Sequence, residues 1–233
     1  MKHCLFLLMS VCACAQIERS SIGVMLDENG QARPVTGTPA AAALGEPVFG
    51  GAVISLACSA QICLAKTESA LVSSDGETVE APPGAALIAF AGDAAYVYFV
   101  QTRQLAFWSA GQLYPLDFAP VGDVLALRAT TTGFEYAVER DDAIWIGNQN
   151  LGAANTILLL DGGGALLAAD GQLRLLRSDG TELDFTVPGA GGFIGGFERM
   201  SDRYVQVITD AGMWALDIEP GREQIFLLPG GSH

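Results

Sequence analysis

A unit of strand, tight turn and strand recurs along the chain, and each copy carries a bulky apolar residue late in its first strand. The last five of these residues are separated by 36, 37, 31 and 38 positions. Two more strand-like runs fit before most copies, so one repeat holds four short strands in about forty residues. The six anchor residues are Met25, Val72, Trp108, Trp145, Leu176 and Trp214.

Turn signals separate these runs, and no window has a sustained helical period. Asn29-Gly30, Asp75-Gly76, Asp170-Gly171 and Asp179-Gly180 are typical hairpin turns, because Asn, Asp and Gly tolerate positive φ. The pattern predicts an all-β chain, a β-propeller of five or six four-stranded antiparallel blades. The first blade is incomplete, with only two outer strands around Met25. A β-sandwich remains the alternative, because short alternating strands also build that fold.

The opening segment GVMLDENGQARPVTGTPAAAALG, about 25 residues, and the repeat resemble uncharacterised bacterial secreted β-propeller repeat proteins. This resemblance implies a propeller fold and no particular activity. No subfamily signature accompanies it. No Trp-Asp dipeptide ends a repeat, and the turns at Ser73-Ser74-Asp75-Gly76 and Ser178-Asp179-Gly180 lack the Trp of the sialidase-type Asp box.

The N-terminus has the parts of a secretory signal peptide. A basic start at Lys2 precedes an apolar run and the small-residue sequence Ala13-Cys14-Ala15. We expect a signal peptide over residues 1–15 and a single β-propeller domain over residues 16–233, either secreted or periplasmic. The alternative is a lipoprotein anchored through Cys14. No run of about 18 apolar residues follows, so the sequence predicts no membrane span.

The net charge of the chain limits the classes of partner that it is expected to bind. The formal net charge is −14 over the whole chain, and Lys66 is the only lysine beyond residue 15. An acidic protein repels phosphate backbones and anionic lipid, so we expect no nucleic-acid or membrane partner. The sequence favours a monomer that binds an unknown protein or small-molecule ligand.

Two of the five cysteines, Cys58 and Cys63, lie outside the first fifteen residues, and they flank Ser59-Ala60-Gln61-Ile62. A tight turn there would set the two thiols opposite each other on paired strands. The sequence therefore predicts a disulfide in an oxidising compartment. Two buried thiols are the alternative, and a metal site is not expected.

Catalytic chemistry has few residues to draw on. His3 and His233 are the only histidines, so the body of the chain offers no Ser-His-Asp triad and no histidine-ligated metal. A Ser-Lys dyad would have to use Lys66. No phosphate-binding loop matches, and we expect no cofactor.

Carboxylates are the one catalytic resource in quantity, and a facing pair could hydrolyse glycosides. Glu139, Asp141 and Asp142 cluster at the end of a predicted strand. Five other candidates could project near one rim: Glu135, Asp123, Asp161, Glu198 and Asp202. The three tryptophans could form a sugar platform, but their equivalent positions favour packing between blades.

We therefore assign no catalytic residue and leave the ligand-binding residues open. The leading hypothesis is a non-catalytic scaffold that binds a ligand or protein on a face or in a central channel. A carboxylate-dependent glycoside hydrolase or lyase, and a structural module without ligand, are the alternatives.

Overall fold

The computed structural model describes residues 21–230. These residues form β-strands joined by turns, with one short 3-10 segment, η1 (Asp161–Gly163). No helix among them is long and apolar enough to cross a membrane. An antiparallel N-terminal sheet comes first, with strands β1 (Ser21–Leu26), β2 (Ala32–Thr38) and β3 (Ala41–Leu44).

Five antiparallel four-stranded units follow in chain order. Unit 1 contains β4 (Ser55–Cys58), β5 (Cys63–Lys66), β6 (Ala70–Ser73) and β7 (Thr78–Glu80). Unit 2 contains β8 (Ala86–Ala91), β9 (Ala94–Phe99), β10 (Gln104–Ser109) and β11 (Gln112–Leu116). Unit 3 contains β12 (Asp123–Thr130), β13 (Gly133–Arg140), β14 (Ala143–Ile146) and β15 (Gln149–Gly152). Unit 4 contains β16 (Thr156–Leu159), β17 (Ala165–Ala169), β18 (Gln172–Leu176) and β19 (Glu182–Thr186). Unit 5 contains β20 (Ile194–Arg199), β21 (Tyr204–Thr209), β22 (Gly212–Asp217) and β23 (Gln224–Leu227).

The first strands of the units contact one another in a closed ring, β4 to β8, β12, β16, β20 and back to β4. A hydrophobic cluster fills each of the four spaces between units that follow one another in sequence, as Leu64 and Trp108 do between units 1 and 2. Two more clusters pack the N-terminal sheet against unit 5 and against unit 1. This is a β-propeller arrangement, so the β-sandwich alternative is wrong.

The predicted number of five or six separate blades is also wrong. Residues 21–230 form four sheets of four or more strands, together with the three-stranded N-terminal sheet. Units 2, 3 and 4 are separate sheets, whereas units 1 and 5 belong to one eight-stranded sheet. The reason is a parallel bridge between β20 and β4, at Arg199 and Ala57. The incomplete first sheet has three strands where the sequence indicated two.

Beside this bridge, side chains make hydrogen bonds to backbone groups that no neighbouring strand pairs with. We call this region, which contains Leu26, Leu56, Glu198 and Gln206, the seam. The Oε2 atom of Glu198 on β20 accepts from the Leu56 N–H on β4 at 3.3 Å. Gln206, which is fully buried, accepts from the Leu26 N–H at 3.0 Å and donates to the Leu26 carbonyl at 2.8 Å. These bonds satisfy backbone groups of β4 and β1, which would be costly to bury unpaired.

The seam also perturbs a carboxyl group. Removal from water raises the pKa of Glu198 to about 8, because desolvation outweighs the opposing hydrogen bond from Leu56. The folded state therefore favours the protonated form of Glu198.

The predicted disulfide is present in unit 1. Cys58 and Cys63 are cross-strand partners on β4 and β5, and their sulfur atoms are bonded. Both residues are buried against the N-terminal sheet, with Phe49 and Leu56 in the same cluster. The bond therefore closes the β4–β5 turn beside the seam.

Glu198 should make stability depend on pH. A carboxyl whose folded pKa is raised binds its proton more tightly in the folded state, so the free energy of unfolding should fall as pH rises from about 4.3, the unfolded value, to about 8. Glu198→Gln should remove this decline in urea titrations across that range. The exposed Glu182→Gln is the matched control and should keep it. An unchanged pH profile in Glu198→Gln would contradict the assignment.

Loss of the disulfide should destabilise the protein through the unfolded state. For a loop this short, the chain-entropy relation gives about 2 kcal/mol. We expect the paired substitution Cys58→Ser with Cys63→Ser to lower the free energy of unfolding, measured by chemical denaturation, by that amount. Mass spectrometry of the 54–66 peptide should show the bond before reduction. Two alkylated thiols in the untreated protein would exclude it.

Candidate functional site

A cavity of about 800 Å³ opens on the ring axis at the end where the first strands finish, which we call the lower face. Turns following the first strand of every unit line it. Unit 1 contributes Ser59 to Gln61, unit 2 Phe90 to Gly92, and unit 3 Arg128 to Thr131 with Glu135; unit 4 contributes Asp161 to Gly163, and unit 5 Asp202. All five units line this cavity, so we take it as the candidate site.

The β4–β5 turn is held by its own side chain and by the disulfide. The Ser59 hydroxyl accepts from the N–H groups of Gln61 and Ile62, each at 3.2 Å. In unit 4 the wall is the tight η1 segment, where Gly162 has φ 76° and Gly163 has φ 104°. Residues with a side chain rarely adopt these φ angles, which favours glycine at both positions. The Ser59 hydrogen bonds and the two glycines therefore define the shape of the wall on two sides.

Arginines near the cavity are occupied by structural contacts. Arg128 forms an ion pair with Glu135 and donates to the Gly164 carbonyl of unit 4 at 3.0 Å. Arg199 forms an ion pair with Asp161 and donates to the Leu159 carbonyl at 2.9 Å. Each guanidinium thus joins two units. Little positive charge remains for binding an anionic ligand in the cavity.

The same use of arginine continues in a second cavity of about 550 Å³ between units 4 and 5, which shares two lining residues with the first. Arg177 donates to the Ile218 carbonyl at 3.0 Å and pairs with Glu223 at 2.6 Å. Arg203 makes a two-pronged contact with the fully buried Asp217, at 3.0 and 2.6 Å. The Asp217 carboxylate raises the pKa of Arg203, so this guanidinium stays charged.

The eight candidate carboxylates do not share one rim. Glu135, Asp161 and Asp202 line the lower-face cavity. Four others belong to strand ends and a hairpin at the opposite end of the ring, the upper face: Asp123, Glu139, Asp141 and Asp142.

Glu198, whose pKa is raised, lies in the seam and is not among the residues that line this cavity. A glycosidase needs two facing carboxyl groups whose pKa values differ, but the carboxyl group whose pKa is raised, Glu198, lies outside the cavity.

Within residues 21–230, no group of three His, Cys, Asp or Glu side chains could hold a metal ion.

Lys66 is fully buried at the end of β5. Its Nζ atom donates to the Thr67 carbonyl and, at 3.2 Å, to the Glu68 carbonyl. Burial lowers the pKa of this amine. Both contacts are to backbone carbonyls of the adjacent hairpin, which suits a structural amine better than the base of a Ser-Lys dyad.

The anchor residues differ in burial. Val72, Trp108, Trp145, Leu176 and Trp214 lie on the third strands of their units, whereas Met25 lies on β1. Met25 and Trp108 are buried, and the other four are half-buried. Trp108, Trp145 and Trp214 each pack against the preceding unit.

Trp145 is the tryptophan most open to a solvent-facing role. Its indole N–H donates to the Arg140 carbonyl at 3.1 Å, and the Arg140 guanidinium lies 4.2 Å from its ring. The platform of three tryptophans is not formed, because each lies in a different space between units.

Sequence reasoning missed the neutral residues of the cavity. Gln61, Phe90, Thr130 and Thr131 line it, and each lies in or next to the turn that follows a first strand. Their position after a first strand was the only sequence signal that could have identified these residues. It becomes informative once the first strands are known to surround the axis.

The two tryptophans should differ in their contribution to stability. Trp108 is 2% exposed, so Trp108→Ala should cost about 3 to 5 kcal/mol. Trp145→Ala should cost about half as much, because part of the ring already faces solvent. Chemical denaturation of both variants measures the difference. Equal losses would mean that Trp145 packs as tightly as Trp108.

No family model and no curated protein matches this chain. Solved structures are similar in fold. A chain of a nidogen/laminin complex has a TM-score of 0.57 and 13% identity, over 88% of this chain and 93% of that one. PorZ, an essential surface component of the type-IX secretion system of Porphyromonas gingivalis, has a TM-score of 0.55 and 13% identity, over 86% of this chain and 36% of PorZ. A Bacteroides caccae protein of unknown function has a TM-score of 0.54 and 11% identity, over 85% and 90%. At these identities the likeness shows the β-propeller fold alone.

Proposed function

We propose that this protein is a non-catalytic binding scaffold whose ligand occupies the lower-face cavity. The observation that carries the proposal is the lining. Hydroxyl, amide, glycine and alanine groups face the space together with carboxylates, while the guanidinium groups of Arg128 and Arg199 bind neighbouring backbone. A volume of about 800 Å³ falls in the usual range for a ligand site.

The lining favours an uncharged, hydroxyl-rich ligand such as an oligosaccharide. Thr130 and Thr131 offer hydroxyl groups, and Gln61 offers both an amide donor and an acceptor. The exposed carboxylates of Asp161 and Asp202 accept hydrogen bonds from sugar hydroxyls. Phe90, which is half-buried, gives one apolar surface.

We propose further that the scaffold acts outside the cytoplasm, as a monomer formed by one domain over residues 16–233. A disulfide suits a secreted or periplasmic protein. The signal sequence over residues 1–15 and the alternative lipid anchor at Cys14 lie outside the described residues. Two fold neighbours are described as parts of larger assemblies, a nidogen/laminin complex and a secretion-system component, which agrees with a binding role.

A thermal-shift screen with oligosaccharides and neutral peptides tests this function, because a ligand that prefers the folded state raises the melting temperature. Ala60→Trp should abolish the shift, since the exposed Ala60 lines the cavity and a large ring there would fill it. Ala119→Trp, at an exposed alanine in the loop after β11, is the matched control and should retain it.

A ligand whose shift survives in Ala60→Trp would bind elsewhere, and the cavity would not be the site. Turnover of a bound oligosaccharide, detected as new reducing ends, would instead support the hydrolase alternative. A shift from no member of either class would favour a structural module.

A further inference from the structure

The upper face differs from the lower face in composition. Five loops lead into the first strands there, at 45–54, 81–85, 117–122, 153–155 and 187–193. They consist mainly of Gly, Ala, Pro, Val and Phe, and Glu46 and Asp117 are their only charged residues. The centre of this face is therefore apolar.

Large apolar side chains are exposed there. Val121 is 78% exposed and Phe193 is 59% exposed, and both lie in loops directly before first strands. Five of the eight exposed large apolar residues in the described chain lie in these loops or in the hairpin after β9: Val48, Ile54, Val100, Val121 and Phe193. Single exposed apolar residues are ordinary, but a concentration on one face indicates an interaction surface.

Backbone contacts bring these loops together with the hairpins that join second and third strands. The Ile54 N–H donates to the Lys66 carbonyl at 2.7 Å, and the Val100 N–H donates to the Ala85 carbonyl at 3.1 Å. In unit 5, the Gly191 N–H donates to the Asp210 carboxylate at 3.2 Å. The hairpins therefore form a rim around the apolar loops.

That rim is acidic. The five hairpins carry Glu68, Asp141, Asp142, Asp170 and Asp210. Their one basic residue, Arg103, pairs with Asp123 at 2.8 Å and donates to the Gly122 carbonyl at 2.6 Å. Its charge is thus partly neutralised.

We propose that the upper face docks a protein partner whose contact patch is apolar at its centre and carries Lys and Arg around it. The charge pattern selects this occupant. A second copy of the chain would bring two acidic rims together, and an anionic membrane would repel the rim. This surface is separate from the lower-face cavity, so either can fail without the other.

The test uses a synthetic peptide with a Leu, Phe and Trp centre flanked by lysines, and measures binding to the full chain by fluorescence anisotropy. Two matched peptides replace the lysines by Glu or the apolar centre by Ser. The lysine-flanked apolar peptide should bind at least tenfold more tightly than either, and more weakly in raised salt.

Variants locate the binding. D141N/D142N/D170N should weaken it by roughly threefold to thirtyfold, as expected for exposed ion pairs. Asn tolerates the positive φ of these positions, so the fold should persist. V121S/F193S should weaken it by a similar factor. D75N/D93N/E182Q removes three exposed charges away from the upper face and should leave binding unchanged.

Three results would overturn the proposal. The first is equal binding of the Glu-flanked peptide, or equal weakening by D75N/D93N/E182Q, either of which would mean non-specific attraction. The second is a concentration-dependent dimer in sedimentation velocity that V121S/F193S dissolves, which would make the occupant a second copy. The third is binding to anionic phosphatidylserine vesicles that V121S/F193S abolishes, which would make the occupant a membrane.

Discussion

The pairing of β20 with β4 is the contact on which the rest of the fold depends. Each unit buries its faces only against its neighbours, so the ring must close for any unit to be stable. The N-terminal sheet has no strand on the axis, and a single bridge at Arg199 and Ala57 closes the inner ring in its place. Glu198 and Gln206 then satisfy nearby backbone groups through their side chains. The closure is polar and titratable, unlike the apolar spaces between the other units.

Arginines join neighbouring units at several points around the ring. Arg103, Arg128, Arg177 and Arg199 each donate to a carbonyl of an adjacent unit and pair with a carboxylate. In a chain of net charge −14, this use of cations has a functional consequence. The hydroxyl-rich ligand and the basic partner proposed above both rest on this placement of the cations.

The two faces differ in composition, and each carries one of the two proposals. Turns at the lower face are polar and surround an open cavity, whereas loops at the upper face are apolar and lie inside an acidic rim. The contrast arises from strand direction: each antiparallel unit sends the turn after its first strand to one end and the loop before it to the other. A repeat built from such units accumulates each composition on its own face.

The sequence alone determined the local features. Hairpin turns follow from Asn-Gly and Asp-Gly pairs, because those residues tolerate positive φ. The short Cys58–Cys63 spacing favoured the disulfide over two buried thiols. The repeat period also sufficed for the propeller class. Only the tertiary structure decided the blade count, because the β20–β4 bridge joins residues more than a hundred positions apart and leaves no local pattern. The same holds for the site: the residues that line the cavity come from five units, and what they share is a position around the axis that sequence spacing does not encode.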